Sequence, residues 1–304
     1  MDRDDFIIAV YLLVCEHYQL IMSEISHPLR GGGFPPRLSD EEVICIEICG
    51  ELFKLPKDKD MFHYFAHHYR HFFPALKDRS RFVRQGAALW KIKALIQQRI
   101  VQRHQAHCDP VQAIDTMPLP VCGYARARRD RCFTGEADYG FCAAKEEQYY
   151  GFKLGLRISR WGFITHYPLL AARPHDVKHL STLVEDFQGV VPADKGFIDT
   201  FTHQLLLQKG VLVVTPQRKN MKTPSPHPPA LLKACAKWRK LIETVASHLT
   251  ERFDIAKIRT HDLWHFQHRI IRKILAHSVA IAINIQCKRS PLDFDGLLVN
   301  YVAH

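Results

Sequence analysis

The stretch GVVPADKGFIDTFTHQLLLQKGVLVVTP, residues 189–216, decides the fold. An apolar run ends at Asp194, Gly196 turns the chain, a helical segment closes at Gly210, and VLVVTP is a second apolar run. Two short β-branched runs joined by a helix predict parallel strands with a crossover between them. Working upstream, PHDVKHLSTLVEDF (174–187) reads as a short helix started by Asp176. EEQYYGFKLGLRIS (146–159) and GFITHYPLLAA (162–172) read as strands around a turn at Arg160–Gly162. PVQAIDTMPLPV (110–121) holds an apolar run ending at Asp115, followed by prolines that stop any helix. The middle of the chain is therefore α/β: an antiparallel meander followed by parallel strands and helices.

The flanks are helical. LSDEEVICIEICGELF (38–53) opens with Ser39 as N-cap and Glu42 completing a capping box. DMFHYFAHHYRHFFPAL (60–76) is an aromatic helix closed by Pro74, and RFVRQGAALWKIKALIQQRIVQRHQ (81–105) is a basic amphipathic one. CAKWRKLIETVASHL (235–249) and FQHRIIRKILAHSVAIAINIQ (266–286) are helices as well. These patterns divide the chain into an all-helical module over 1–107, suited to DNA binding or dimerisation, an α/β domain over 108–290 and a tail over 291–304.

A chain of 304 residues with 47% apolar content can bury a proper core, which excludes a disordered protein. Its net charge is +11, which favours a polyanionic partner, nucleic acid above all. A membrane surface would need a basic amphipathic helix beside an anchor. FIIAVYLLVC (6–15) follows MDRDD, reads as too short to span a bilayer, and is expected to be a buried helix, so no membrane is expected. Nine cysteines without a CxxC pair read as free thiols of a reducing cytosol, although Cys122, Cys132 and Cys142 are evenly spaced. His63, His67 and His71, and likewise His261, His265 and His268, have near-helical spacing but lack the intervening glutamate of an HExxH zinc site.

Phosphoryl transfer on DNA needs hard cations, and hard cations need converging carboxylates. Asp115 and Asp194 each end a predicted strand, and Glu243 flanks the apolar face of the 235–249 helix. Each has a plainer alternative: turn-starting aspartates, and for Glu243 an exposed pair with Arg239 four residues earlier. Arg126, Arg128, Arg129 and Arg131 follow the first carboxylate, and Arg218, Lys219 and Lys222 follow the last predicted strand, where cations could hold phosphates.

AIDTMPLPVC, YYGFKLGLRI, RPHDVKHL, ADKGFID, VVTPQRKNMK and RKLIETVASHL, in this order, resemble the Asp-Asp-Glu transposases of bacterial insertion sequences, and in particular the insertion-sequence-982 group. The likeness runs from about 110 to 285 and extends weakly into LSDEEV and HHYRHFFPAL. It implies a ribonuclease H-like mixed sheet flanked by helices, with Asp115, Asp194 and Glu243 as ligands of two Mg²⁺ or Mn²⁺ ions. It implies a transposase that cleaves DNA at the element's ends and transfers the strands to target DNA without a covalent enzyme intermediate. The partners implied are terminal inverted repeats, target DNA and a second copy in a dimer or larger synaptic complex. The place implied is the cytoplasm of a bacterium, at the nucleoid. Lys153 resembles a recurrent family position, and Arg239 and Lys240 join the expected DNA contacts. The family's Tyr before the Glu is Ala236 here and its later Lys is Thr250, with Trp238, Lys240 and Arg252 near enough to substitute. A two-metal nuclease without strand transfer, and a decayed copy that only binds DNA, remain the alternatives.

Overall fold

The computed structural model describes residues 1–26, 35–130, 132–142, 146–218 and 226–298. The chain forms two compact units: residues 1–104, 252–254 and 267–304 make one, and 105–251 with 255–266 make the other. The boundary expected at 290 therefore moves. Residues 267–298 pack with the N-terminal helices, and the reason is ionic.

The helical unit contains α1 (Arg3–Glu24), α2 (Asp40–Leu52), α3 (Asp58–His68), α4 (Arg79–Ala88) and α5 (Trp90–Arg103). Ser39 and Glu42 form the expected capping box at the start of α2: the Ser39 amide donates to Glu42 Oε2 at 2.6 Å and the Glu42 amide to Ser39 Oγ at 3.1 Å. The aromatic helix stops at His68, short of Pro74, and the basic one is interrupted at Leu89 into α4 and α5. α1 buries Phe6, Ile7, Val10, Val14 and Ile21. At 22 residues it is longer than its apolar core suggested, and by length and composition alone it could cross a membrane. Here it packs on α2 and α5, leaving Ile8, Leu12 and Leu20 exposed.

Along α2, Glu47 and Glu51 are buried, and a buried carboxylate needs a cation. Lys93 on α5 reaches Glu47 at 2.6 Å, while Arg272 and Lys273 reach Glu51 at 2.7 and 2.8 Å. Arg272 and Arg269 also clasp Asp58 at the start of α3. The last three cations lie on α9 (Leu263–Gln286), which draws this part of the chain into the helical unit. Lys93 also donates to the Gly86 carbonyl at 2.7 Å and contacts His268 Nδ1 at 3.0 Å. Gly86 is required here, since a Cβ would sit 2.5 Å from Glu47 Oε1.

The second unit is built on β1 (Ala113–Gly123), β2 (Asp138–Cys142), β3 (Glu147–Ile158), β4 (Ile164–His166) and β5 (Leu169–Ala171). The long β3 pairs antiparallel with β1 along one edge, and with β2, β5 and β4 in turn along the other. GFITHYPLLAA is thus two short strands rather than one. The helix expected over 174–187 shrinks to a 3-10 turn, Asp176–His179, and the four-residue α6 (Leu180–Leu183). β6 (Gly189–Pro192) and β7 (Val211–Val214) pair in parallel and are joined by α7 (Thr200–Gln208), as their sequence predicts. A parallel bridge, Val111 to Val190, connects β6 to the start of β1. Across the unit the order of lanes is β2/β5/β4, β3, β1, β6, β7. α8 (Pro229–Ser247) packs on β1 and β6. The core joins Ile114, Leu183, Val191, Phe197, Leu206 and Val213.

β1 does not stop at Asp115 but continues for eight residues through Pro118 and Pro120. These two prolines have the same parity and face Lys153 and Gly151 of β3. Their missing amides fall on the edge of β1 turned away from β3, where proline is tolerated.

Candidate active site

Asp115 is the third residue of β1, level with Leu156 of β3. It is half-buried, and its Oδ1 accepts the Thr116 amide at 2.8 Å. Burial pushes its carboxyl up to about 7, against that amide, with the charges of Asp194, Asp176 and Glu243 pushing the same way. Asp194, Asp176 and Glu243, each on its own element, thus bear on the charge of Asp115.

Asp194 lies two residues beyond β6, at the start of the 3-10 turn Lys195–Phe197, and is half exposed. Its Oδ1 accepts Arg239 Nη2 from α8 at 2.7 Å. The cation expected either to pair with Glu243 or to hold DNA instead ties α8 to the second aspartate. Glu243, one turn further along α8, is exposed. Asp199 is separate from this group: it stands at the N-cap position of α7 and accepts the Thr202 hydroxyl, which holds its carboxyl below the usual range.

Asp176 is the acid that the sequence hid. It reads as a helix-starting aspartate, yet its Oδ1 accepts the Thr116 hydroxyl at 2.7 Å and the Lys153 ammonium at 2.9 Å. Lys153 also donates to the Pro174 carbonyl at 2.8 Å. Its ammonium is therefore committed to the floor of the site and not presented to solvent. The signal available was RPHDVKHL itself, in which Asp176 follows a proline-containing turn at the end of β5.

Among the expected DNA contacts, Arg126, Arg128 and Arg129 are exposed on the 3-10 turn Tyr124–Arg129, and Lys240 is exposed on α8. Arg218 is exposed too and donates to the Lys195 carbonyl at 2.9 Å. Arg131, Lys219 and Lys222 lie outside the described residues. Thr250 hydrogen-bonds back to the Ala246 carbonyl, and Arg252 pairs with Asp295. All nine cysteines are free, and His268 faces Lys93 and Glu47.

Among the described residues no three His, Cys, Asp or Glu side chains are already gathered closely enough to hold a metal ion. The donor set nevertheless fits a hard divalent cation. It offers only carboxylate oxygens, and the charge on Asp115 is raised in energy by its own surroundings. A cation is the group that would relieve it.

A transposase DDE domain matches residues 105–263, more than half of the chain, and the chain belongs to that family. The protein is an enzyme, a DDE transposase. No curated protein matches it. Among solved structures it is similar to a piggyBac transposase synaptic complex with hairpin DNA, determined by cryo-EM, at 14% identity. That match covers 97% of this chain and 79% of the other with a TM-score of 0.45, so the family assignment rests on the domain match alone.

Proposed function

We propose that the enzyme cleaves DNA at the ends of a bacterial insertion sequence and joins those ends to target DNA. The observation that carries this reading is the placement of Asp194 just beyond β6, which bridges to the start of the strand bearing Asp115, with its Oδ1 held by Arg239 of α8, the helix that bears Glu243. The lane order, with β1 central between an antiparallel β3 and a parallel β6, supports a ribonuclease H-like domain.

Asp115, Asp194 and Glu243 would hold two Mg²⁺ or Mn²⁺ ions. When bound, such ions supply activation of a water or 3′-hydroxyl nucleophile and neutralise charge on the phosphate under attack. The chain's own residues prepare the place. Arg239 fixes the orientation of Asp194, and Lys153 with Thr116 anchors Asp176 behind Asp115. Exposed Arg126, Arg128, Arg129, Arg218 and Lys240 are available for phosphates, consistent with a net charge of +11. The helical unit would bind DNA or a second copy, in a dimer or larger assembly that brings two element ends together at the nucleoid.

The decisive experiment uses Asp115→Asn and duplex DNA carrying the terminal repeats that flank the gene. Wild type nicks it with Mg²⁺ or Mn²⁺, and the variant is expected to bind it while losing at least roughly 100-fold in cleavage. Equal cutting by the variant would overturn the reading. A pre-cut end then separates transposition from simple hydrolysis, since a nuclease yields no joined product.

A further inference from the structure

At the far end of the sheet from Asp115, three large rings stand in solvent: Tyr124 is 52% exposed, Tyr139 41% and Phe141 57%. The register places Tyr139 opposite Tyr150 and Phe141 opposite Gln148, so the two β2 rings share one face of the sheet. The Tyr124 and Tyr139 rings lie 5.4 Å apart, and Tyr139 rests 5.2 Å from Tyr150. Tyr150 is itself buried and anchored by its hydroxyl to the Phe133 carbonyl at 3.2 Å. Tyr139 is thus backed by an anchored ring and Tyr124 by Tyr139, while their outer surfaces stay open.

Arg126, Arg128 and Arg129 are exposed on the turn that begins with Tyr124. The neighbouring Asp130 and Asp138 each accept a backbone amide, those of Cys132 and Tyr139. Contiguous exposed rings on a soluble surface mark a binding site. Flanking cations select the ligand: rings stack on nucleobases while guanidinium groups track the phosphates between them. A paired duplex hides its base faces in its own stack, so only unpaired bases can use such rings.

We propose that Tyr124, Tyr139 and Phe141 form a stacking platform for unpaired nucleobases, with Arg126, Arg128 and Arg129 holding the phosphates of the same strand. This rests on the reading of the protein as an enzyme acting on DNA. Tyr150 is six residues along β3 from Leu156, the residue opposite Asp115, which is roughly 20 Å. The strand held there is therefore DNA beside the cut, not the nucleotide being cut.

The test is binding by the full chain in EDTA, where no cleavage occurs, to an oligothymidine of about 12 nucleotides and to its blunt duplex. Replacing Tyr124, Tyr139 and Phe141 together by Ala is expected to weaken oligothymidine binding roughly 10- to 100-fold and duplex binding less than about 2-fold. Tyr124→Phe with Tyr139→Phe keeps the rings and is expected to keep the affinity. If the triple variant is misfolded by circular dichroism, Phe141→Ala alone carries the test through loss of 2-aminopurine quenching in a labelled strand. Unchanged single-strand affinity, an equal loss for both DNAs, or a change in oligomeric state without loss of single-strand binding would each overturn the proposal. Because Asp115→Asn leaves this face untouched, that variant should bind oligothymidine like wild type even where the cleavage reading fails.

Discussion

Asp115 is a carboxyl whose burial works against its charge. A carboxyl whose pKa in the folded protein is about 7, against an ordinary 3.8, makes the fold less stable as pH rises from about 4 to above 7. Asp115→Asn removes the charge but keeps the shape. It should raise the metal-free melting temperature by a few degrees at pH 8, about 1–2 kcal/mol once the residue's partial exposure is allowed for. It should also abolish the thermal shift that Mg²⁺ gives wild type. Arg239→Ala tests a different role. It leaves Asp194 without its 2.7 Å partner at a half-exposed site, so stability should change by less than about 1 kcal/mol while cleavage falls roughly 10- to 100-fold. A parallel melting curve separates misplacement from misfolding. The candidate ligands Asp115, Asp194 and Glu243 could be singled out in the sequence because carboxylates beside apolar runs break the pattern around them. Asp176 was not, since an aspartate before a short helical run has an ordinary capping use, and only the folded chain turns it toward Thr116 and Lys153.

At the scale of elements, the sequence reading held where local pattern and tertiary need agree. The capping box of α2 and the strand–helix–strand of residues 189–214 are such places. It failed where packing overrides propensity. β1 runs through two prolines because its outer edge asks for no amide there, and the basic helix breaks at Leu89 beside the Lys93–Glu47 contact. Gly86 sits at the same place, with Glu47 pressed against its Cα. Gly86→Ala improves helix propensity by close to 1 kcal/mol, yet the buried carboxylate cannot yield without losing Lys93. A net loss of about 1–3 kcal/mol in chemical denaturation is expected, and a gain would show that α2 and α4 can part.

For the whole molecule, the charges that hold the helical unit together are not those proposed to hold DNA. Burial alone would raise the Asp58 carboxyl, but Arg272 and Arg269 prevail and hold it at about 2. Its contribution is complete above its ordinary 3.8 and is lost as pH falls toward 2, amounting to about 2 kcal/mol. Asp58→Asn should therefore flatten acid unfolding of the helical unit between pH 4 and 2, followed by urea denaturation at each pH. The domain boundary was illegible for the same reason. Arg269, Arg272 and Lys273 look like the polar face of any amphipathic helix, and their carboxylate partners are 211 to 222 residues away.

That separation also sets an order of events during synthesis. Glu51 leaves the ribosome 221 residues before Arg272, a delay of roughly 10–45 s at about 5–20 residues per second. Until then Glu51 and Asp58 of the helical unit lack their α9 cations, although Lys93 already meets Glu47, whereas residues 105–251 contain all the described strands of their own unit. A chain interrupted by a frameshift or a premature stop before residue 267 thus releases an α/β unit beside helices that cannot close. Such fragments are expected to be cut faster by added protease than the full chain, in which Arg272 and Lys273 meet Glu51.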